Sequence, residues 1–325
     1  MQVLKRIGFV VLAYVCFAST VKAANYDYDS QLNKALHANK LVAIGDVHGS
    51  EHVVTRLIKY LDEPSNWQQL DALVVEFGNA RYQDLADQYL LSKQNISIDD
   101  VRHIWRDTLY FMAWQYDVYE QLVLKLKQLN STREHKVRLV LAEPAMNWQT
   151  LSKEDWQKLE SSRETGYLEA INQHVVAKHR RAILLFGAFH TFKKPVVINN
   201  QTSPFSSVIA LLEQQKPGST YTVWPAMKND GIASSYPADS LIPLSANSSL
   251  NMPLASMSKR FAVNNNVSLA DVADAYYVLK NTDRNAPLSD AALNDLTWHK
   301  ELKRRAEIVS PRSAKQIHSW LSQHN

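Results

Sequence analysis

Six short apolar runs, at 41–44, 72–77, 137–142, 182–186, 221–224 and 275–279, constrain this chain more than any other feature. Four of them hold four consecutive residues drawn from Val, Ile, Leu and Ala rather than an alternating pattern. Such runs read as strands covered on both faces, which is the habit of parallel sheets. Longer amphipathic stretches, at 51–61, 98–128, 153–178 and 204–215, fall between them and predict helices. Ser97 with Asp100, and Ser152 with Asp155, have the spacing of N-terminal caps for two of these. The rhythm predicts an α/β fold: a largely parallel or mixed central sheet, flanked by helices, with a cleft at the carboxyl ends of the strands.

The first 23 residues read differently. Lys5 and Arg6 precede an uncharged run from Ile7 to Thr20, and Val21-Lys22-Ala23 offers small residues at a cleavage position. A basic start, a short apolar centre and a V-x-A exit form a secretory signal peptide. The apolar run is shorter than the roughly 20 residues a spanning helix needs, so no stable membrane anchor is expected after cleavage. The location expected is periplasmic or secreted. The chain's one cysteine, Cys16, lies inside this segment. A mature chain beginning near Ala24 has no thiol chemistry, and its function must come from His, Asp, Glu, Arg, Ser or Tyr. Removing Lys5, Arg6 and Lys22 also reduces the basic excess, 36 Lys and Arg against 32 Asp and Glu, to near balance. A nucleic-acid partner gains no support from charge.

Residues 24–325 are read as one α/β domain with its core at about 40–280. A polar stretch at 226–268 is rich in Ser, Asn, Ala and Pro. It is expected to be a long surface excursion, either a plain ordered loop or a lid over a site. From about Ser289 a basic helical tail with Lys300, Lys303, Arg304 and Arg305 is expected to be solvated.

What stands at the strand ends is the functional signal. The first run leads into Gly45-Asp46-Val47-His48-Gly49. The second carries Glu76, the third ends in Glu143-Pro144, and the fourth in Gly187-Ala188-Phe189-His190. Parallel strands deliver their exits to one rim, so Asp46, His48, Glu76 and His190 are expected in one cleft. Carboxylates and imidazoles that close to apolar runs are costly unless they partner one another. The glycine of each G-x-x-H is read as allowing a sharp turn that folds the histidine back over the sheet edge. Arg106, in Ile104-Trp105-Arg106-Asp107-Thr108, is a candidate to orient a carboxylate or stabilise an oxyanion. Arg163-Glu164 is a weaker candidate of the same kind, with a solvated helix face as its default.

These motifs carry a resemblance. G-D-V-H-G at 45–49, V-V-E-F-G-N-A at 74–80, I-W-R-D-T at 104–108 and G-A-F-H at 187–190 resemble the erythromycin-esterase-like proteins. Those group with Tiki, TraB and ChaN-like haem-uptake proteins through paired G-x-x-H motifs. E-P-A-M-N-W at 143–148 and A-D-A-Y-Y-V-L at 273–279 look like later blocks of the family. The resemblance implies that His48 is a general base activating water, that Asp46 and Glu76 are its acidic partners, and that His190 completes the cleft. In the Tiki branch the same histidines and a glutamate resemble ligands of a divalent metal. Two positions depart from the pattern: Asp46 stands where Glu is usual, and Glu143 where Asp is expected.

The function expected is therefore a hydrolase of ester or amide bonds, acting on a small-molecule or peptide substrate, metal-free or metal-assisted. The alternative is a ChaN-like carrier of haem or metal, with Tyr82, Trp105 and Phe189 as aromatic neighbours for a macrocycle. A calcineurin-like metallophosphoesterase ranks lower, because Asp46-x-His48-Gly49 is not followed by G-D-x-x-D-R or G-N-H. A serine triad lacks its G-x-S-x-G elbow. One expectation is checked directly by intact mass: protein recovered from the periplasmic fraction should begin near Ala24, and an N-terminus still at Met1 would refute the signal peptide.

Overall fold

The structure, a computed structural model, describes residues 26–38, 41–226, 236–279 and 285–324. The expected signal peptide at 1–23 and part of the polar excursion lie outside the described residues. All six apolar runs contribute to strands: β1 (Leu41–Asp46), β2 (Ala72–Asn79), β3 (Arg138–Glu143), β4 (Ala182–Gly187), β5 (Thr220–Pro225) and, following a short edge strand β6 (Leu241–Pro243), β7 (Ala275–Tyr277). They form a seven-stranded sheet in the order β3-β2-β4-β1-β5-β7-β6. Every pairing is parallel except β6 with β7. The structure is therefore α/β with a mostly parallel sheet. β6 belongs to the polar excursion and was not expected, since three residues are too few to show periodicity.

Alternation along the strands sorts side chains between two apolar layers. Val42, Ile44, Leu73, Val75, Ile183 and Leu185 join the larger core on one face. Ala43, Ala72, Val74, Ala182, Leu184 and Phe186 join the smaller core on the other, against Tyr167 and Ile171 of the helix Arg163–His174. Since successive strand residues point to opposite faces, Glu76 shares its face with Ala72 and Val74, under that helix.

Two expected helices are broken. The stretch 98–128 divides into Ile98–Val101, His103–Arg106, a 3-10 turn at Phe111–Trp114, and Asp117–Thr132. Local polar groups compete for the backbone where it breaks: the Thr108 hydroxyl donates to the Trp105 carbonyl, and Asn79 Nδ2 donates to the Asp107 carbonyl. The stretch 153–178 divides at Ser162 into Lys153–Ser161 and Arg163–His174. Both expected caps form, with Ser97 accepting from the Asp99 N–H and Ser152 from the Asp155 N–H.

The basic tail is not simply solvated. Trp298 and Leu302 of helix Leu296–Ala306, with Ile317 and Leu321 of helix Pro311–His324, build a third apolar cluster on Phe111, Trp148 and Trp156. Arg305 is 2% exposed within it. Its guanidinium donates to Asp107, to the Arg106 carbonyl at 2.5 Å, and to Glu301 at 2.7 Å. Removing one partner of a buried ion pair strands the other charge, which costs about 3–5 kcal/mol. We expect Arg305→Met, which keeps the side-chain bulk, to lower stability to urea by about 3 kcal/mol. Arg305→Met combined with Asp107→Leu should recover much of that loss. A single-variant loss near zero would show that the pair does not hold the tail.

Candidate functional site

The chain leaves β1, builds β2 and β3 outward, and returns to insert β4 between β2 and β1. The polar ends of β3, β2, β4 and β1 thus stand side by side, in the order Glu143, Glu76, Gly187, Asp46. Register pairs Asp46 with Gly187, and Asn79 with Glu143 past an irregularity in β2.

His48, two residues beyond Asp46, turns back over this rim. Its Nδ1 is 3.1 Å from Asp46 Oδ2, and that oxygen also accepts the Tyr119 hydroxyl at 2.8 Å. Trp114 meets the imidazole edge-on, with ring centroids 4.4 Å apart. The other nitrogen, Nε2, lies 3.8 Å from Glu76 Oε2. The His48 side chain is 33% exposed, whereas those of Asp46 and Glu76 are 2% and 3% exposed. His48 is therefore the accessible member of a buried acidic set. Asp46 Oδ1 is buried without a hydrogen-bond partner.

Glu76 is the hub. Its Oε2 accepts the Gly187 N–H at 2.6 Å, and its Oε1 accepts Arg163 Nη2 at 3.1 Å. His190 Nε2 is 3.4 Å from the same Oε1. The other His190 nitrogen meets Glu164 at 2.5 Å, and Glu164 in turn accepts the Val208 N–H at the start of helix Val208–Gln215. Arg163 also reaches Glu143 at 3.2 Å, and Glu143 accepts the Tyr167 hydroxyl and the Leu109 N–H.

The glycines serve a different purpose from the one expected. Neither Gly45 nor Gly187 has a positive φ; within this set that conformation belongs to Gly49, at φ 83°. What matters at 187 is room. A Cβ there would stand 2.7 Å from His48 Nε2 and 3.2 Å from Glu76 Oε2, closer to the ring than atoms can pack. At Gly45 it would stand 2.8 Å from Pro225.

Proton affinities follow from this packing. Burial works to neutralise Glu76, but His190, His48 and Arg163 outweigh it and hold the carboxyl well below its usual range. Burial likewise works against charge on His190, yet Glu76 and Glu164 push it up to about 10. A ring donating from both nitrogens to carboxylates is the imidazolium form. His48 is also raised: burial opposes the proton, and Glu76 and Asp46 together overcome that opposition. For Glu143 burial prevails over Arg163, and its carboxyl is raised.

Asp46, His48, Glu76 and His190 are thus gathered at one rim. Asp46, His48 and His190 line a cleft of about 300 Å³ with Val47, Gly187, Ala188, Phe189 and Arg260. Arg106 is not among them. It binds Asp295 at 2.7 Å and the Ala291 carbonyl at 3.0 Å in a separate cavity of about 650 Å³. The short helix His103–Arg106 directs it toward the C-terminal helices instead. Arg163, read as part of a solvated face by default, is buried behind the rim and bonded to Glu76 and Glu143. Glu164 joins it. The signal available in sequence was the adjacency of Arg163 and Glu164 at the start of a helix following β3.

A divalent ion on His48, His190 and Glu76 does not fit. Among the described residues no group of three or more His, Asp or Glu side chains is disposed to hold a metal. Each Glu76 oxygen already accepts from Arg163 or Gly187, and a guanidinium adjoins the carboxylate. Axial haem ligation fits no better. Both nitrogens of each histidine face carboxylates. Of the three expected aromatic neighbours, Phe189 lines the cleft, whereas Tyr82 hydrogen-bonds Asp107 and Trp105 is buried in the main core.

The raised His190 proton affinity has a consequence for stability. A group with a folded pKa of about 10, against about 6.5 unfolded, stabilises fully below 6.5 and loses that contribution as pH rises toward 10. The urea midpoint of the wild type should fall over that window more steeply than that of His190→Gln. Parallel profiles would contradict the imidazolium.

No protein-family model matches the chain, and no curated protein matches it. Solved structures similar to it include the type III effector HopBA1, at 15% identity, covering 64% of this chain and 86% of that one, TM-score 0.41. A ChaN structure of Campylobacter jejuni, in a study of cofacial heme binding, is 12% identical over 62% of this chain and 86% of its own, TM-score 0.42. A Bacillus cereus protein is 11% identical over 68% and 74%, TM-score 0.42.

Proposed function

We propose that this cleft hydrolyses an ester or amide bond, with His48 as general base. One observation carries the reading: the accessible imidazole lines the cleft and is fixed at Nδ1 by buried Asp46, with Nε2 3.8 Å from Glu76. A carboxylate behind an imidazole sets its tautomer and stabilises the imidazolium formed on proton uptake.

In the proposed reaction, neutral His48 takes a proton from water as the water oxygen bonds to the carbonyl carbon. The same proton passes to the leaving alkoxide or amine as its bond to carbon breaks. His190 stays positively charged and keeps Glu76 ionised, so proton transfer is confined to His48. The apolar N-terminal segment supports export of this hydrolase to the periplasm or medium.

A broad screen of activated esters and amides tests the proposal. His48→Ala should reduce kcat/KM by about 10²–10⁴-fold, the range for a positioned proton acceptor, and a chelator should leave the wild-type rate in place. Because only neutral His48 accepts a proton, kcat/KM should rise with pH through a value above 6.5. Glu76→Gln removes a carboxylate that holds the His48 proton, so that rise should move to lower pH. A rate unaffected by His48→Ala would exclude the role.

A further inference from the structure

The cleft wall carries a cation, Arg260. Arg260 is exposed, and among the described residues no carboxylate lies within ion-pair distance of it. Arg163 is engaged with Glu76 and Glu143, Lys193 with Asp274 and Lys194 with Asp271, while Lys259 of the same turn does not line the cleft. An arginine placed at a site without an internal partner retains its five donors for a ligand.

Arg260 is also held in position. It belongs to a 3-10 turn, Lys259–Phe261, whose Ser258 hydroxyl accepts the Arg260 N–H at 3.3 Å. The Arg260 carbonyl accepts the Asn199 N–H at 2.8 Å. Phe261, 2% exposed, packs edge-on against Phe189 and Phe192 and fixes the turn to the main core. The guanidinium itself lies 5.6 Å from the centre of the Phe189 ring, within cation–π range. Phe189 stands between Gly187 and His190 in sequence, so this contact places the cation on the wall beside the histidines.

We propose that Arg260 anchors a carboxylate of the substrate, making the substrate class a small ester or amide with a carboxylate near its scissile bond. The inference rests on the hydrolase reading of the same cleft. A guanidinium fork matches a carboxylate in plane and in donor spacing. Arg260 offers the donor fork for one carboxylate, while Asp46 of the cleft and Glu76 behind it are already engaged with the histidines. The polar excursion then contributes to specificity through one residue, without contributing to the proton-transfer set.

Two ester probes of similar length, para-nitrophenyl hydrogen succinate and para-nitrophenyl butyrate, differ in a terminal carboxylate against a methyl group. Wild type should favour the succinate ester in kcat/KM, and Arg260→Ala should reduce that preference by about 10–100-fold, the effect of losing a charged hydrogen bond. Arg260→Lys should restore part of it. Calorimetric binding of free succinate, which needs no catalysis, should weaken in Arg260→Ala by a similar factor. Thermal unfolding checks that the variants remain folded. An unchanged preference and unchanged succinate binding in Arg260→Ala would overturn the anchor, even with hydrolysis dependent on His48. Arg260-dependent succinate binding without hydrolysis of either ester would keep the anchor and count against the hydrolase. Preferential binding of inorganic phosphate over succinate would overturn the carboxylate assignment.

Discussion

The buried charge of Glu76 governs how this protein is arranged around its cleft. A carboxylate placed between a parallel sheet and a covering helix loses its hydration, at a cost of several kcal/mol unless partners replace the water. Here four partners do so: the Gly187 N–H, Arg163, His190 and, at longer range, His48. Each demands something of the fold. Gly187 must lack a side chain, helix Arg163–His174 must begin over the sheet end, and β4 must lie beside β2 so that His190 can approach.

These groups titrate as a unit rather than singly. Glu76 stays ionised because positive charge surrounds it, and the histidines retain protons because Glu76 stays ionised. Glu164 and Asp46 then differentiate the two rings. Glu164 locks His190 between two carboxylates inside the structure, whereas Asp46 holds His48 at the accessible edge. Exposure is what distinguishes a ring able to exchange protons with a ligand from one that supplies fixed charge.

A second buried pair supports the rim from outside. Arg305 and Asp107 fasten the C-terminal helices to the segment after β2. Asn79, at the end of β2, donates to the carbonyls of Asp107 and Met146, tying that segment to the exit of β3. The helix broken around Asp107 is thus part of the scaffold. Its polar groups bind the loops that hold the strand ends, and a continuous helix would have kept those backbone groups to itself.

The sequence by itself determined the strands, because unbroken Val, Ile and Leu runs have no other economical place than a sheet covered on both faces. It also marked Asp46, His48, Glu76 and His190, since polar groups at the ends of such runs need partners. It did not determine which arginine would join them. Arg106 and Arg163 both follow strands on helical segments, and only the packing of each helix decides where its guanidinium reaches. Nor did it show that Gly187 provides room for the His48 ring rather than a turn, or that Arg305 is buried. The order β3-β2-β4-β1 settled the site: inserting β4 between β2 and β1 puts Glu76, His190 and His48 in contact across distant parts of the chain. Local periodicity carries no information about which strand lies beside which, because that choice is made by the packing of the whole sheet and its helices.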